Sequence, residues 1–144
     1  MSARTSRASE LDPRCFISLV ETLVEDGRIK DEVSIRRMIS ALYFCLFNYW
    51  CAKKYESGIR KGGPLKDLFP YRDFHEELLK KKLDKEIVLL YTLRTASDHY
   101  VLNPTIIIIY DKVISRIIPK LRITMSLKAL KNAISASKEI LKHI

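Results

Sequence analysis

Residues 31–55 read DEVSIRRMISALYFCLFNYWCAKKY, and their spacing decides the fold. Ile35, Met38, Ile39, Leu42, Tyr43, Leu46, Phe47 and Trp50 recur at three- and four-residue steps, the period of one face of a helix. The stretch predicts a helix from about Asp31 to Tyr55, which would span roughly 36 Å. A rod of that length hides its apolar face along neighbouring rods, so a helical bundle is expected. Its greasiest part, Met38 to Ala52, is broken by Ser40 and Asn48 and flanked by Arg37 and Lys53. That run is too short for a membrane span.

Upstream, Asp12-Pro13 is a cap followed by proline at the first helical position. The helix it starts carries Phe16, Val20, Leu23 and Val24 on one face, with Leu19 beside them, and Gly27 stops it. Downstream, Glu56 to Pro70 holds Gly58, Gly62, Gly63 and Pro64 and reads as a loop. Tyr71 to Lys82 reads as a short helix ending in Lys80-Lys81-Lys82, after which Asp84 caps a helix from Lys85 to about Leu102. Asn103-Pro104 is a further cap signal. Ile107, Tyr110, Ile114, Ile117 and Ile118 then keep helical spacing as far as Pro119. The β-branched run Ile106 to Ile109 would suit a strand, but nothing else in the chain offers it a strand partner, so it is read as helix. Ser126 to Ile144 is the last helix, striped by Leu127, Leu130, Ile134, Leu141 and Ile144. The expected fold is all-α, an up-and-down bundle of about five helices. The alternative is a mixed fold with an edge strand near Ile108. Residues 1–10, polar and basic, are expected to be a flexible N-terminus ahead of a single domain over 11–144.

Of 144 residues, 47% are hydrophobic and 30% charged, which supports a buried core and argues against disorder. The net charge of +9 points to a polyanionic partner, nucleic acid before membrane. A lysine-rich thermophilic surface accounts for it equally well, since the chain has no Gln and abundant Ile and Lys. Cys15, Cys45 and Cys51 are odd in number, lack metal spacing and read as small buried apolar residues of a cytoplasmic protein. The first residues lack the apolar core of a signal peptide. No carboxylate–histidine set has metal-ligand spacing, so no metal and no cofactor are expected.

Chemistry concentrates on the helix after Asp84. Its core-facing stripe runs Ile87, Tyr91, and then turns charged at Arg94 and Asp98. Charges in a bundle seam are costly unless paired, and at i,i+4 these two can pair. A plain intrahelical salt bridge would explain them, yet Thr95, Ser97 and His99 add to the cluster. His99 is the group best suited to move a proton near neutral pH. His75 and His143 have no neighbours in sequence that suggest a role. Lys128, Lys131, Lys138 and Lys142 line one side of the last helix, opposite its apolar stripe. Such a face can track a phosphate backbone, or be only solvated surface.

Arg94-Thr-Ala-Ser-Asp-His99 resembles the R-x4-6-H motif of HEPN domains. Ile35-Arg-Arg-Met-Ile-Ser-Ala-Leu-Tyr43-Phe is similar to the second helix of that family, with its Arg, small residues and aromatic pair. Pro64-Leu-Lys-Asp-Leu-Phe69 followed by Leu83 to Asp98 resembles the remaining pattern, so the likeness covers about Leu11 to Asn103. Catalytic members of the family commonly carry Asn, Asp or His straight after the Arg, where this chain has Thr95. Other members carry Asp-Tyr where this chain has Asp98 and His99, and bind rather than cut.

The resemblance implies a metal-independent endoribonuclease, often a toxin paired with a nucleotidyltransferase antitoxin. His99 would be the acid–base group for attack of a ribose 2′-hydroxyl on the adjacent phosphate. Arg94 would stabilise the phosphorane, Asp98 would orient Arg94 or His99, and Arg36 or Arg37 would add phosphate contacts. Residues five apart on a helix lie about 140° apart. Arg94 and His99 therefore suit a site completed across a homodimer seam, as in HEPN dimers. Two other readings compete. One is a non-catalytic HEPN module that binds nucleotide or RNA, or serves a nucleotidyltransferase. The other is a helical scaffold without ligand.

Overall fold

The computed structural model describes residues 12–56 and 71–144. The N-terminal residues 1–10, most of the Glu56 to Pro70 loop and the Pro64 to Phe69 part of the resemblance lie outside the described residues. Five α-helices are present among those described: α1 (Pro13–Glu25), α2 (Glu32–Glu56), α3 (Tyr71–Lys80), α4 (Asp84–His99) and α5 (Leu127–Leu141). They form an all-α bundle in which α2, α4 and α5 pack against one another, α1 lies on α2 and α5, and α3 lies on α4 and α2. No helix among the described residues is long and apolar enough to cross a membrane. The core is aromatic at the α2–α3 contact, where Tyr43, Phe47 and Trp50 meet Tyr71 and Phe74, and aliphatic elsewhere.

Local chemistry sets the helix ends. The Asp12 side chain accepts from the Arg14 N–H at 2.9 Å, and Pro13 opens α1. At the other end Gly27 has φ +68°. The N–H of Gly27 donates to Val24 O and that of Arg28 to Leu23 O, the paired bonds of a Schellman stop. The same pair recurs after α3, where Lys82 N–H donates to Leu79 O and Leu83 N–H to Leu78 O. Here the left-handed residue is Lys82, at φ 62°. A side chain in that conformation costs about 1–2 kcal/mol, and glycine gives back part of this through the unfolded chain. Lys82→Gly is therefore expected to raise stability by about 0.5–1 kcal/mol. A urea midpoint equal to or below wild type refutes this.

Some sequence expectations need correction. Asp84 is the first residue of α4 rather than its cap; the cap is Leu83, which makes no side-chain hydrogen bond. The helix α4 ends at His99, not Leu102. The expected helix through Ile106 to Ile118 is absent. Ile107–Ile108 form a short strand, β1, paired antiparallel with Lys120–Leu121, β2, and a single 3₁₀ turn spans Ile114–Arg116. Burial alternates along the run: Ile107 and Ile109 are in the core, while Ile108 and Tyr110 face out. Four successive β-branched residues satisfied both periods, and the two-residue partner beyond Pro119 was too short to read. Asn103 caps no helix: its amide brackets the backbone of Met125, accepting from N–H at 2.8 Å and donating to O at 2.9 Å. Of the cysteines expected in the core only Cys51 is buried; Cys15 is exposed and Cys45 half-buried.

Candidate functional site

The charged end of the α4 stripe is built against α2. Ile87 is buried, Tyr91 half-buried, and Arg94 and Asp98 keep 12% and 17% of their side chains exposed. Arg94 Nε lies 3.0 Å from Asp98 Oδ2, an ion pair rather than a well-aimed hydrogen bond. The guanidinium carbon of Arg94 sits 4.9 Å from the centre of the Phe44 ring. The rings of Tyr71, Tyr43 and Tyr91 follow at 5.4, 5.6 and 5.6 Å. This enclosure offsets the loss of water around the cation through the negative ring faces. Asp98 takes two further partners from α2, Ser40 Oγ at 3.2 Å and an Arg37 nitrogen at 3.4 Å.

Arg36 and Arg37 hold the end of α4. The last carbonyls of a helix have no partner within it. Arg36 donates to Ala96 O at 3.0 Å and to Tyr100 O, and is itself fixed by Glu32 at 2.7 Å. Arg37 donates to Ser97 O at 3.1 Å. Arg36 is 12% exposed and Arg37 57%, so Arg37 is the one within reach of a ligand.

His99 lies at the surface and makes no side-chain hydrogen bond to the described residues. Arg94 and Asp98 are therefore brought together, while His99 points out beside them. Thr95 and Ser97 do not join the cluster. The Thr95 hydroxyl donates to Tyr91 O in its own helix, and the Ser97 hydroxyl meets the Met125 sulfur. Beyond α4 the chain exposes Val101 (94%) and Leu102 (80%) next to His99. On α5, Lys128, Lys131 and Lys138 are exposed, as is Lys142 at its C-terminal cap. Lys138 pairs with Glu21 of α1 and Lys142 with Glu139, whereas Lys128 and Lys131 form no ion pair with the described residues.

A second polar group escaped the sequence reading. His75 of α3 is fully buried. Its Nε2 is 2.8 Å from the Tyr43 hydroxyl, and its Nδ1 is 3.3 Å from Asp111 Oδ2, short of a well-formed hydrogen bond. Tyr91 packs edge-on against the imidazole at 4.5 Å. Burial pushes the Tyr43 phenol well above its ordinary range, so it stays protonated. Burial also pushes the Asp111 carboxyl up, but the nearby His75 imidazole and hydrogen bonds from the Ile114 and Val113 N–H groups prevail, and its pKa is lowered. A signal was present: Tyr71, Phe74, His75 and Leu78 follow the i, i+3, i+4, i+7 rule of a core face. The Asp111 partner, remote in sequence, left none. Among the described residues no three His, Cys, Asp or Glu side chains cluster as metal ligands would. The chain matches no protein-family model, no curated protein and no solved structure.

Proposed function

We propose that this domain binds RNA and cuts it without a metal ion, with His99 as the acid–base group at the end of α4, as its resemblance to HEPN domains implies. The observation that carries the reading is the juxtaposition at that end. The exposed His99, without a side-chain hydrogen bond to the described residues, directly follows Asp98, which pairs with Arg94 and with the 57% exposed Arg37. Arg94, locked by Asp98 and four rings, positions the helix end; Arg37 is the better placed cation for a phosphate. Lys128 and Lys131, free of ion pairs with the described residues, extend a basic face for the strand. The exposed Val101 and Leu102 support a two-fold homodimer whose seam adjoins His99, so that each copy completes the other's site.

The test is incubation of single-stranded RNA with the protein in EDTA. Cut products ending in a 2′,3′-cyclic phosphate and intact DNA are expected, because the nucleophile is the ribose hydroxyl. Sedimentation of the same sample should give a dimer at micromolar concentration; a monomer counts against a shared site. The enclosure of Arg94, only 12% exposed, favours a second reading, a module that binds RNA or nucleotide without cutting. RNA that binds and stays whole selects it. A nucleotidyltransferase antitoxin as partner is the biological setting the resemblance suggests, and co-purification tests it.

A further inference from the structure

On the side formed by α1, α2 and α5 lies a cleft of about 530 Å³. Ordinary small-ligand clefts run from about 300 to 1,000 Å³. Its walls combine two chemistries. Ile17 of α1, Leu141 of α5 and the ring of Tyr49 of α2 give it an apolar floor, while Arg14, Lys138 and Lys142 bring three cations to it. Among the described residues of the lining, Glu21 is the one acid. We infer that this cleft holds a nucleotide unit, with the base against Tyr49 and the phosphate among Arg14, Lys138 and Lys142. The inference deepens the proposed RNA- or nucleotide-binding role by giving it a site away from His99.

Each of those cations has a carboxylate at present: Asp12 for Arg14, Glu21 for Lys138 and Glu139 for Lys142. Arg14, Lys138 and Lys142 keep 77%, 50% and 68% of their side chains exposed, and ion pairs so open contribute little. A phosphate dianion can draw the same cations away from single carboxylates, at an affinity that falls with salt. The Lys53 ammonium lies over the Tyr49 ring, 5.1 Å from its centre. An apolar floor with an aromatic ring distinguishes a nucleotide from inorganic phosphate, which would use the cations alone.

The probes are AMP, inorganic phosphate and a short single-stranded oligoribonucleotide, each titrated into the wild type at low salt. AMP is expected to bind, phosphate to bind at least tenfold more weakly, and 0.3 M salt to weaken both. Tyr49→Leu keeps the apolar bulk and should weaken AMP about tenfold without moving the phosphate affinity. Arg14→Gln, at an exposed position, should weaken both. Tighter binding of the oligoribonucleotide than of AMP, lost in the same variants, assigns the cleft to a strand; equal binding assigns it to a free nucleotide. No AMP binding, or AMP binding indifferent to Tyr49→Leu and Arg14→Gln, overturns the inference. The response of AMP binding to the Tyr49 and Arg14 variants reads only this cleft and RNA cutting only the His99 end, so the two proposals fail separately.

Discussion

His99→Ala is expected to slow the cutting of single-stranded RNA by about 10²–10⁴-fold and to leave the melting temperature where it was. The first half follows from the proposed chemistry. The ribose 2′-oxygen forms a bond to phosphorus as the bond to the 5′-oxygen breaks. A base must take the 2′ proton, and an acid must give one to the leaving 5′-oxygen. One imidazole serves one of these roles at a time, so a His99 from each copy of a dimer would supply both. The second half follows from geometry, since the side chain is exposed and makes no hydrogen bond to the described residues. Arg94→Ala separates from it in the melt. Removing that cation leaves Asp98, 17% exposed, with only Arg37 and Ser40 among the described residues, so activity and stability fall together. Unchanged cutting by the His99 variant sinks the proposed chemistry outright.

His75→Ala should cost about 3–5 kcal/mol, a fall of roughly 10 °C in melting temperature. The substitution opens a void at a fully buried position and orphans two groups together, the Tyr43 hydroxyl and one Asp111 oxygen. Tyr43→Phe removes a single donor and should cost about 1–2 kcal/mol. Acid adds a second readout. The folded pKa of Asp111 lies below its ordinary 3.8, so its stabilisation is complete above that value and is lost as pH falls through the lowered one. Asp111→Asn should be less stable than wild type at pH 7 and lose less on acidification. Parallel acid-unfolding curves for the two proteins would show that the carboxylate carries no such role.

Two helix ends were legible because they depend on neighbours in sequence: Asp12-Pro13 and Gly27 each act within four residues, and the structure uses both. The caps read at Asp84 and Asn103 were not used, and Ser126, read as the start of the last helix, is its cap, accepting from the Ala129 N–H. The pairing of Arg94 with Asp98 was legible for the same reason, being one helical turn long. The segment from Ile106 to Ile118 was not, because its apolar residues fit two periods and only the Lys120–Leu121 partner decides between them. Nor could the sequence reveal that Phe44 and three tyrosines surround Arg94, or that Asp111 meets His75, since those contacts join separate elements. Arg36 is the clearest case. The family resemblance implied a phosphate contact for it, and its position fixes it to the carbonyls of another helix.

That attachment also bears on the order of events in folding. Arg36 reaches Ala96 and Tyr100 across 60 and 64 residues. The middle of α4 can form from local contacts, but its final turn gains its carbonyl partners only after α2 has docked, when the closure of a long loop has already been met. The segment bearing His99 thus belongs to the late part of the folding reaction. Weakening Arg36 should speed unfolding while barely slowing folding, a φ-value near zero in a chevron analysis, and the first piece of α4 to open in the native state is its last turn.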